Sequence, residues 1–232
     1  MRYIKKKSKE PTSLSTYKEA QRDANLSVSY NTFREKQELN DVLRSEQFHI
    51  CCYCQQKLTH YQGDKIGGSH NEHLKPQCSD IGDGSIGLNY YNIYACCIDS
   101  QGMSELHQHC GESKHNKNIR GFIQAPDCTV FFKYNVNGEI LPNGEYDDWN
   151  NYVKNAERLT DNVKAAYEEI KILNLNCNKL VNDRKNDFDM LLKWLLQSSK
   201  NDVEQKIISI ESAEYFERYI DMLLYYMRKK KN

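Results

Sequence analysis

No apolar run in this 232-residue chain approaches the roughly 18 residues that a membrane span needs, so no membrane partner is expected. The Lys-rich start MRYIKKKSK also lacks an apolar h-region and a cleavage site, which points to the cytoplasm. Charge of neither sign is in excess, with Lys+Arg and Asp+Glu equal at 32 each, and a coat held on nucleic acid by bulk charge is thereby disfavoured. Internal repeats, long low-complexity linkers and any recognisable sequence-reading domain are missing too, which argues against an array and against an enzyme that selects DNA sites alone. Apolar residues make up only 39%, adequate but low for a packed core. The basic ends, RYIKKKSK and MRKKKN, are expected to be solvated, frayed tails.

What is present divides near residue 140. Leu39, Val42, Leu43 and Ile50 in TFREKQELNDVLRSEQFHI predict an amphipathic N-terminal helix that runs into CCYC. From there to about residue 120 the chain is rich in Gly, Asn, Cys and His without long periodicity, and reads as short strands and loops. TVFFKYNVNGEILPNGEY predicts a hairpin about an Asn-Gly turn. Beyond it, apolar stripes at three- and four-residue spacing, from Trp149 to Ile170, Leu180 to Leu195 and Ile207 to Met227, predict a C-terminal helical half. The expected class is α+β, with residues 1–140 as an N-terminal helix plus a metal-stabilised region and residues 141–232 as a helical region for packing and partner docking. Trp194, Tyr215 and Tyr219 are expected in the core, some of them on a docking face.

Nine cysteines in a reducing compartment suggest metal ligation rather than disulfides. Cys51 and Cys54 form a C-x-x-C pair, whose tight turn brings two thiolates to adjacent corners of a tetrahedral Zn²⁺. Cys96 or Cys97, together with Cys110, would close a structural four-cysteine site and hold a segment whose own core is thin. Cys52, Cys78, Cys128 and Cys177 have no partner at useful spacing and read as structural.

Between and beside these cysteines lie EHLKP, NYYNIYAC and HCGESKHNK. Glu72, His73 and Asn92 are the parts that metal-dependent phosphodiester hydrolysis uses: a carboxylate for a hard divalent cation, an imidazole that titrates near neutrality as general base, and an amide that fixes the loop. Singly, Glu72 reads as a surface carboxylate near Lys75 and His73 as a hydrogen-bonded structural histidine; their order along the chain is what favours chemistry. His70 and His107 read as bystanders, and His49 and His60 as structural or surface groups.

The series Cys-x-x-Cys, Glu-His-x-x-Pro, Asn-Ile-x-x-x-Cys and Cys-Gly-x-x-Lys resembles the HNH (ββα-metal) endonuclease motif with its zinc-binding cysteines. With MRYIKKKSKEPTSL, LRSEQFHICCYC and LNLNCNKLVNDRKNDF, most of the chain is similar to the PtuB-like HNH subunit of Septu and retron-associated antiviral defence systems. That resemblance implies a ββα-metal core and a toxic endonuclease that leaves 5′-phosphate and 3′-hydroxyl ends. It implies a DNA or RNA substrate, an ABC-type ATPase partner (PtuA-like), and a possible link to a retron reverse transcriptase with its multicopy single-stranded DNA. It selects Cys97 over Cys96 as the third zinc ligand, and it gives His73 as base, Glu72 as ligand of a catalytic Mg²⁺ or Mn²⁺, Asn92 as the positioning amide and Lys114 as a phosphate contact. One slot departs from the general HNH pattern: the position after the last cysteine is usually Asn or His there, and here stands Gly111. His115, one helical turn on, is the expected second metal ligand, with His109 and Asn118 as alternatives. Because of Gly111, the competing expectation is a catalytically silent zinc module that binds nucleic acid or scaffolds the ATPase.

Overall fold

The expected N-terminal helix forms as α2 (Lys36–Glu46), with Leu39 and Leu43, one turn apart, fully buried. It stops where Phe48 and His49 enter the left-handed region at φ 52° and 61°, which swings the chain into the CCYC turn. The computed structural model describes residues 1–77 and 86–231, so Cys78 lies outside the described residues. Ahead of α2 runs α1 (Thr12–Asp23), which no sequence stripe announced because Leu14 alone of its residues is buried.

The basic N-terminus is not a frayed tail. Met1 and Ile4 are buried, and the Ile4 N–H donates to the Ile123 carbonyl at 2.9 Å. Lys6 donates to the Ile93 carbonyl at 2.6 Å, with its ammonium over the rings of Tyr90 and Tyr94. Burial lowers the Lys6 pKa to about 8, against the opposing pull of Glu46. Apolar residues interleaved with the lysines dock this strap, and aromatic faces receive the charge that docking desolvates.

The segment between the cysteine pairs is a small sheet. β1 (His60–Tyr61) lies parallel to β2 (Gly68–His73), and β2 pairs antiparallel with β3 (Ile93–Cys97) in the register His73 opposite Ile93 and Ser69 opposite Cys97. The Gln47 side chain extends this network, donating to the Ile50 and Ala95 carbonyls at 2.9 and 2.8 Å and accepting from Ala95 N–H at 2.8 Å. A short helix, α3 (Gly111–Lys114), follows β3 in the chain. The Asn-Gly hairpin forms from β4 (Phe132–Tyr134) and β5 (Ile140–Pro142), with Gly138 at φ 85°. A Cβ there would sit 2.3 Å from the Val181 carbonyl, so glycine is needed both for the turn and for its approach to the next helices.

The helical region consists of α4 (Trp149–Lys154), α5 (Asp161–Ile172), α6 (Asn178–Gln197), α7 (Lys200–Glu211) and α8 (Ile220–Lys231). Leu191 and Leu195 of α6, Val203, Ile207 and Ile210 of α7, and Ile220, Leu224 and Met227 of α8 form one apolar cluster. A reciprocal capping box between Ser199 and Asp202 starts α7. The main core draws on both sides of residue 140, since Ile170, Leu180, Phe188 and Met222 pack in the same cluster as Leu39, Tyr53 and Ile93. Tyr219 is buried in it, Trp194 is half-buried, and Tyr215 is exposed and stacked on His49.

Polar contacts reinforce that union at the CCYC turn. Buried Asp221 accepts from Gln55 at 2.6 Å and from Arg2 at 2.9 Å, while the Tyr219 N–H donates to the Gln55 carbonyl at 3.1 Å. Among the described residues no helix is long and apolar enough to cross a membrane.

Candidate metal and catalytic site

The sulfurs of Cys51, Cys54, Cys97 and Cys110 all lie within 4.8 Å of one another and all are buried. Two edges of this group measure 3.6 Å, between Cys54 and Cys97, and 3.9 Å, between Cys51 and Cys110. A tetrahedron with Zn–S bonds of ~2.3 Å has edges of ~3.8 Å, so the four thiols fit a structural zinc ion. Cys96 falls outside the quartet and groups with Cys51 and Cys52 instead. Burial pushes the Cys51 thiol up, but hydrogen bonds from Cys110, Cys52, Cys54 and Cys96 outweigh it and hold that thiol well below its ordinary value. The other three thiols, Cys54, Cys97 and Cys110, are held well above their ordinary value, so a dication bound there would displace their protons.

Cys110 pays for its place with backbone strain, at φ 58° and ψ −131°, and its N–H is held by the Leu173 carbonyl at 2.8 Å. Next to it His109 is fully buried, its Nδ1 3.3 Å from the Cys110 sulfur, and burial lowers its pKa to about 4. A neutral imidazole there serves as a hydrogen-bond partner of the thiolates.

The β2–β3 pairing places the candidate catalytic residues. Asn92, directly before β3, accepts from the Lys75 N–H at 2.8 Å and donates to the Lys75 and Ile86 carbonyls at 3.0 and 3.3 Å. Its one side chain therefore clamps the segment that leaves β2 after His73. The His73 Nε2–H donates to the Gly87 carbonyl at 2.8 Å, and Nδ1 accepts from the Gln77 amide at 3.1 Å. Tyr30 packs edge-on against the ring, with centroids 4.6 Å apart. Burial lowers the His73 pKa below its ordinary value, although the Gly87 hydrogen bond and the Glu72 charge pull the other way. The ring is accordingly neutral near pH 7 and carries its lone pair on Nδ1.

Glu72 points to the other side of the strand, where its two oxygens have different neighbours. Oε1 takes the Lys114 ammonium at 3.0 Å and the Tyr53 hydroxyl at 3.3 Å, whereas Oε2 faces His70 Nε2 at 3.3 Å. Burial alone would raise the carboxyl, but the His70 hydrogen bond and the Lys114 charge outweigh it and keep it ionised. Lys114, expected at a phosphate, is itself fully buried and also donates to the His73 carbonyl at 2.8 Å. His115 sits exposed at the end of α3 at φ 48°, and Asn118 is exposed beyond it. His107 bonds Ser104 on the surface.

The departing slot, Gly111, lies directly against this pair. A Cβ on Gly111 would stand 2.9 Å from both Glu72 Oε2 and His70 Nε2. The partnership of His70 with Glu72 escaped the sequence reading, yet alternation along a strand puts residues two apart on one face, so a strand assignment for HNEH would have exposed it. A carboxylate oxygen, an imidazole nitrogen and a backbone cradle without a side chain suit a hard divalent cation.

No family model matches the chain. The chain is similar to an Escherichia coli protein named "Retron Ec83 putative HNH endonuclease", at 24% identity over 167 residues, a match spanning 63% of each chain. Beside this likeness stands a mixed α and β architecture with a four-thiol group.

Proposed function

We propose that the chain is a metal-dependent HNH endonuclease, hydrolysing phosphodiester bonds of DNA or RNA. The observation that carries this reading is the arrangement of β2, β3 and α3. One strand end presents Glu72 and His73 on its two sides, Asn92 locks the loop behind them, and the thiol quartet ties β3 to the start of α3. That succession of two antiparallel strands and a helix is compatible with a ββα-metal core and supports the reading.

His73 Nδ1 is the general base. Its Nε2–H is fixed by the Gly87 carbonyl, so the opposite nitrogen keeps the lone pair, and the Gln77 amide marks where an attacking water would donate its proton. Glu72 Oε2 is the carboxylate ligand for Mg²⁺ or Mn²⁺, which would neutralise charge on the scissile phosphate and stabilise the leaving oxygen. Lys114 and Tyr53 orient that carboxylate through Oε1. Asn92 acts as a positioning residue. Products with 5′-phosphate and 3′-hydroxyl ends are expected.

The defence setting also belongs to this reading. As part of an antiviral complex the chain would work with an ABC-type ATPase, PtuA-like, and with a retron reverse transcriptase and its multicopy DNA, in the cytoplasm. The relative's name, which contains the word retron, supports that link. Residues 1–140 would carry the nuclease and residues 141–232 the docking face, where Met190, Leu196, Ile208 and Tyr215 are exposed.

A second reading, a zinc module that binds nucleic acid without cutting it, is favoured by Gly111 alone. A nicking assay with Mg²⁺ or Mn²⁺ on plasmid and on RNA separates the two. Cleavage that needs the cation, and that disappears in EDTA, supports the enzyme; nucleic-acid binding without cleavage under every cation tried supports the module.

A further inference from the structure

Among the described residues, the side chain that meets Glu72 Oε2 and could join it on a cation is His70. Positions 70 and 72 lie two apart on β2 and so share a face of the strand. His70 Nε2 is 3.3 Å from Oε2. Two adjacent ligands at ~2.1 Å on an octahedral ion are ~3.0 Å apart, so a shift of a few tenths of an ångström would seat both atoms on one Mg²⁺ or Mn²⁺. The other oxygen of Glu72 is already held by Lys114 and Tyr53, which leaves Oε2 for the ion. Both side chains keep some solvent access, 24% for His70 and 12% for Glu72, as an ion that meets substrate requires.

Gly111 supplies the independent observation. Its missing Cβ would lie 2.9 Å from His70 Nε2 and 2.9 Å from Glu72 Oε2. A side chain at 111 and the imidazole of His70 therefore compete for one volume, and in this chain the imidazole has it. Gly111 has no positive φ, so its backbone does not demand glycine; the space does. We infer that His70 is the second protein ligand of the catalytic cation, taking the place beside Glu72 that a side chain at position 111 would otherwise fill. The inference rests on the nuclease reading and replaces His115, which is exposed at the far end of α3.

The test is Mn²⁺ binding to the full, zinc-loaded chain, followed by electron paramagnetic resonance of the free ion, with zinc content and melting temperature measured on the same samples. His70→Ala should weaken Mn²⁺ binding about tenfold or more and leave zinc at wild-type stoichiometry. His70→Gln, which keeps the volume and an N–H toward Glu72, should weaken it similarly, separating a ligand from a mere hydrogen-bond donor. His115→Ala should bind as wild type does. Gly111→Asn alone should disturb the site, while His70→Ala combined with Gly111→Asn should regain affinity over His70→Ala, because the volume is then free and an amide oxygen occupies it. Wild-type affinity in both His70 variants would overturn the inference and leave the nuclease reading intact if cleavage persists. A wild-type chain that binds no Mn²⁺ and cuts nothing would overturn both.

Discussion

Around Ala95 and Cys97 the buried neighbours are thiols, amides and a carboxylate, whereas around Leu195 and Val203 they are apolar side chains from three helices. Asn40, Gln47, Gln55, Ser69, Asn92, His109 and Lys114 are all buried in the first region. Such a core is directional: hydrogen bonds fix most of its polar groups, although His109 Nε2 and Asp99 Oδ1 are buried without a partner, and they only partly offset the cost of desolvation. The helical cluster is held by area and tolerates substitution of similar volume. Catalytic geometry demands the first kind of interior and stability is supplied more simply by the second, and the CCYC turn, gripped by Gln55, Tyr219 and Asp221, is where they join.

Removing zinc should break this contrast most strongly. Chelation, or Cys54→Ser, should strip the site region of a contribution on the order of 10 kcal/mol. Hydrogen exchange should then show protection lost across β2 and β3 while amides of α7 and α8 around Val203 and Leu224 stay protected longer. Equal loss in both regions would mean that they unfold as one unit. Truncation at the other end, Leu195→Ala, should cost about 2–5 kcal/mol in chemical denaturation and leave the cleavage rate per folded molecule unchanged. A matching loss of cleavage would show the helical cluster to be coupled to the site.

Asn92→Ala comes next. It leaves the Lys75 N–H and carbonyl without the side chain that clamps them, for about 1–3 kcal/mol of stability. Because the clamp sets the loop behind His73, cleavage should fall by far more than the unfolded fraction explains, and a proportionate fall would reduce Asn92 to a structural amide.

The smallest effect concerns Glu169, buried in α5, which accepts from the Gly121 and Phe122 N–H groups at 2.7 and 3.3 Å. Burial raises its pKa to about 7, against those hydrogen bonds, from an ordinary 4.5. A carboxyl raised in the fold contributes stability below pH ~4.5 and loses it as pH climbs toward 7, by roughly 3 kcal/mol at most. Glu169→Gln has no such proton to lose. Denaturation at pH 5.5 and pH 8 should show the variant gaining on wild type as pH rises, and a constant difference would contradict the burial effect.

How much of this was readable beforehand follows from what each feature depends on. The thiol spacing, the Asn137-Gly138 turn and the stripes of α5 to α8 are local patterns, and each predicts its element directly. The docked N-terminal strap depends on rings at Tyr90 and Tyr94 that only the fold brings to Lys6. Likewise Lys114 looks like a free cation until β2 and α3 are brought together, and His70 looks incidental until β2 pairs with β3 and Gly111 opens beside it. Residues that act through a neighbour distant in sequence are the ones a motif does not disclose.

The central claim is that support and chemistry reside in different residues of one small region, and His73→Ala tests it most directly. Zinc content, melting temperature and cation-dependent cleavage are measured on a single preparation of that variant. The expected result is wild-type zinc and an intact fold, with cleavage down by roughly 10²- to 10⁴-fold, the usual loss of a general base. Full cleavage by a zinc-loaded, folded His73→Ala chain would contradict it.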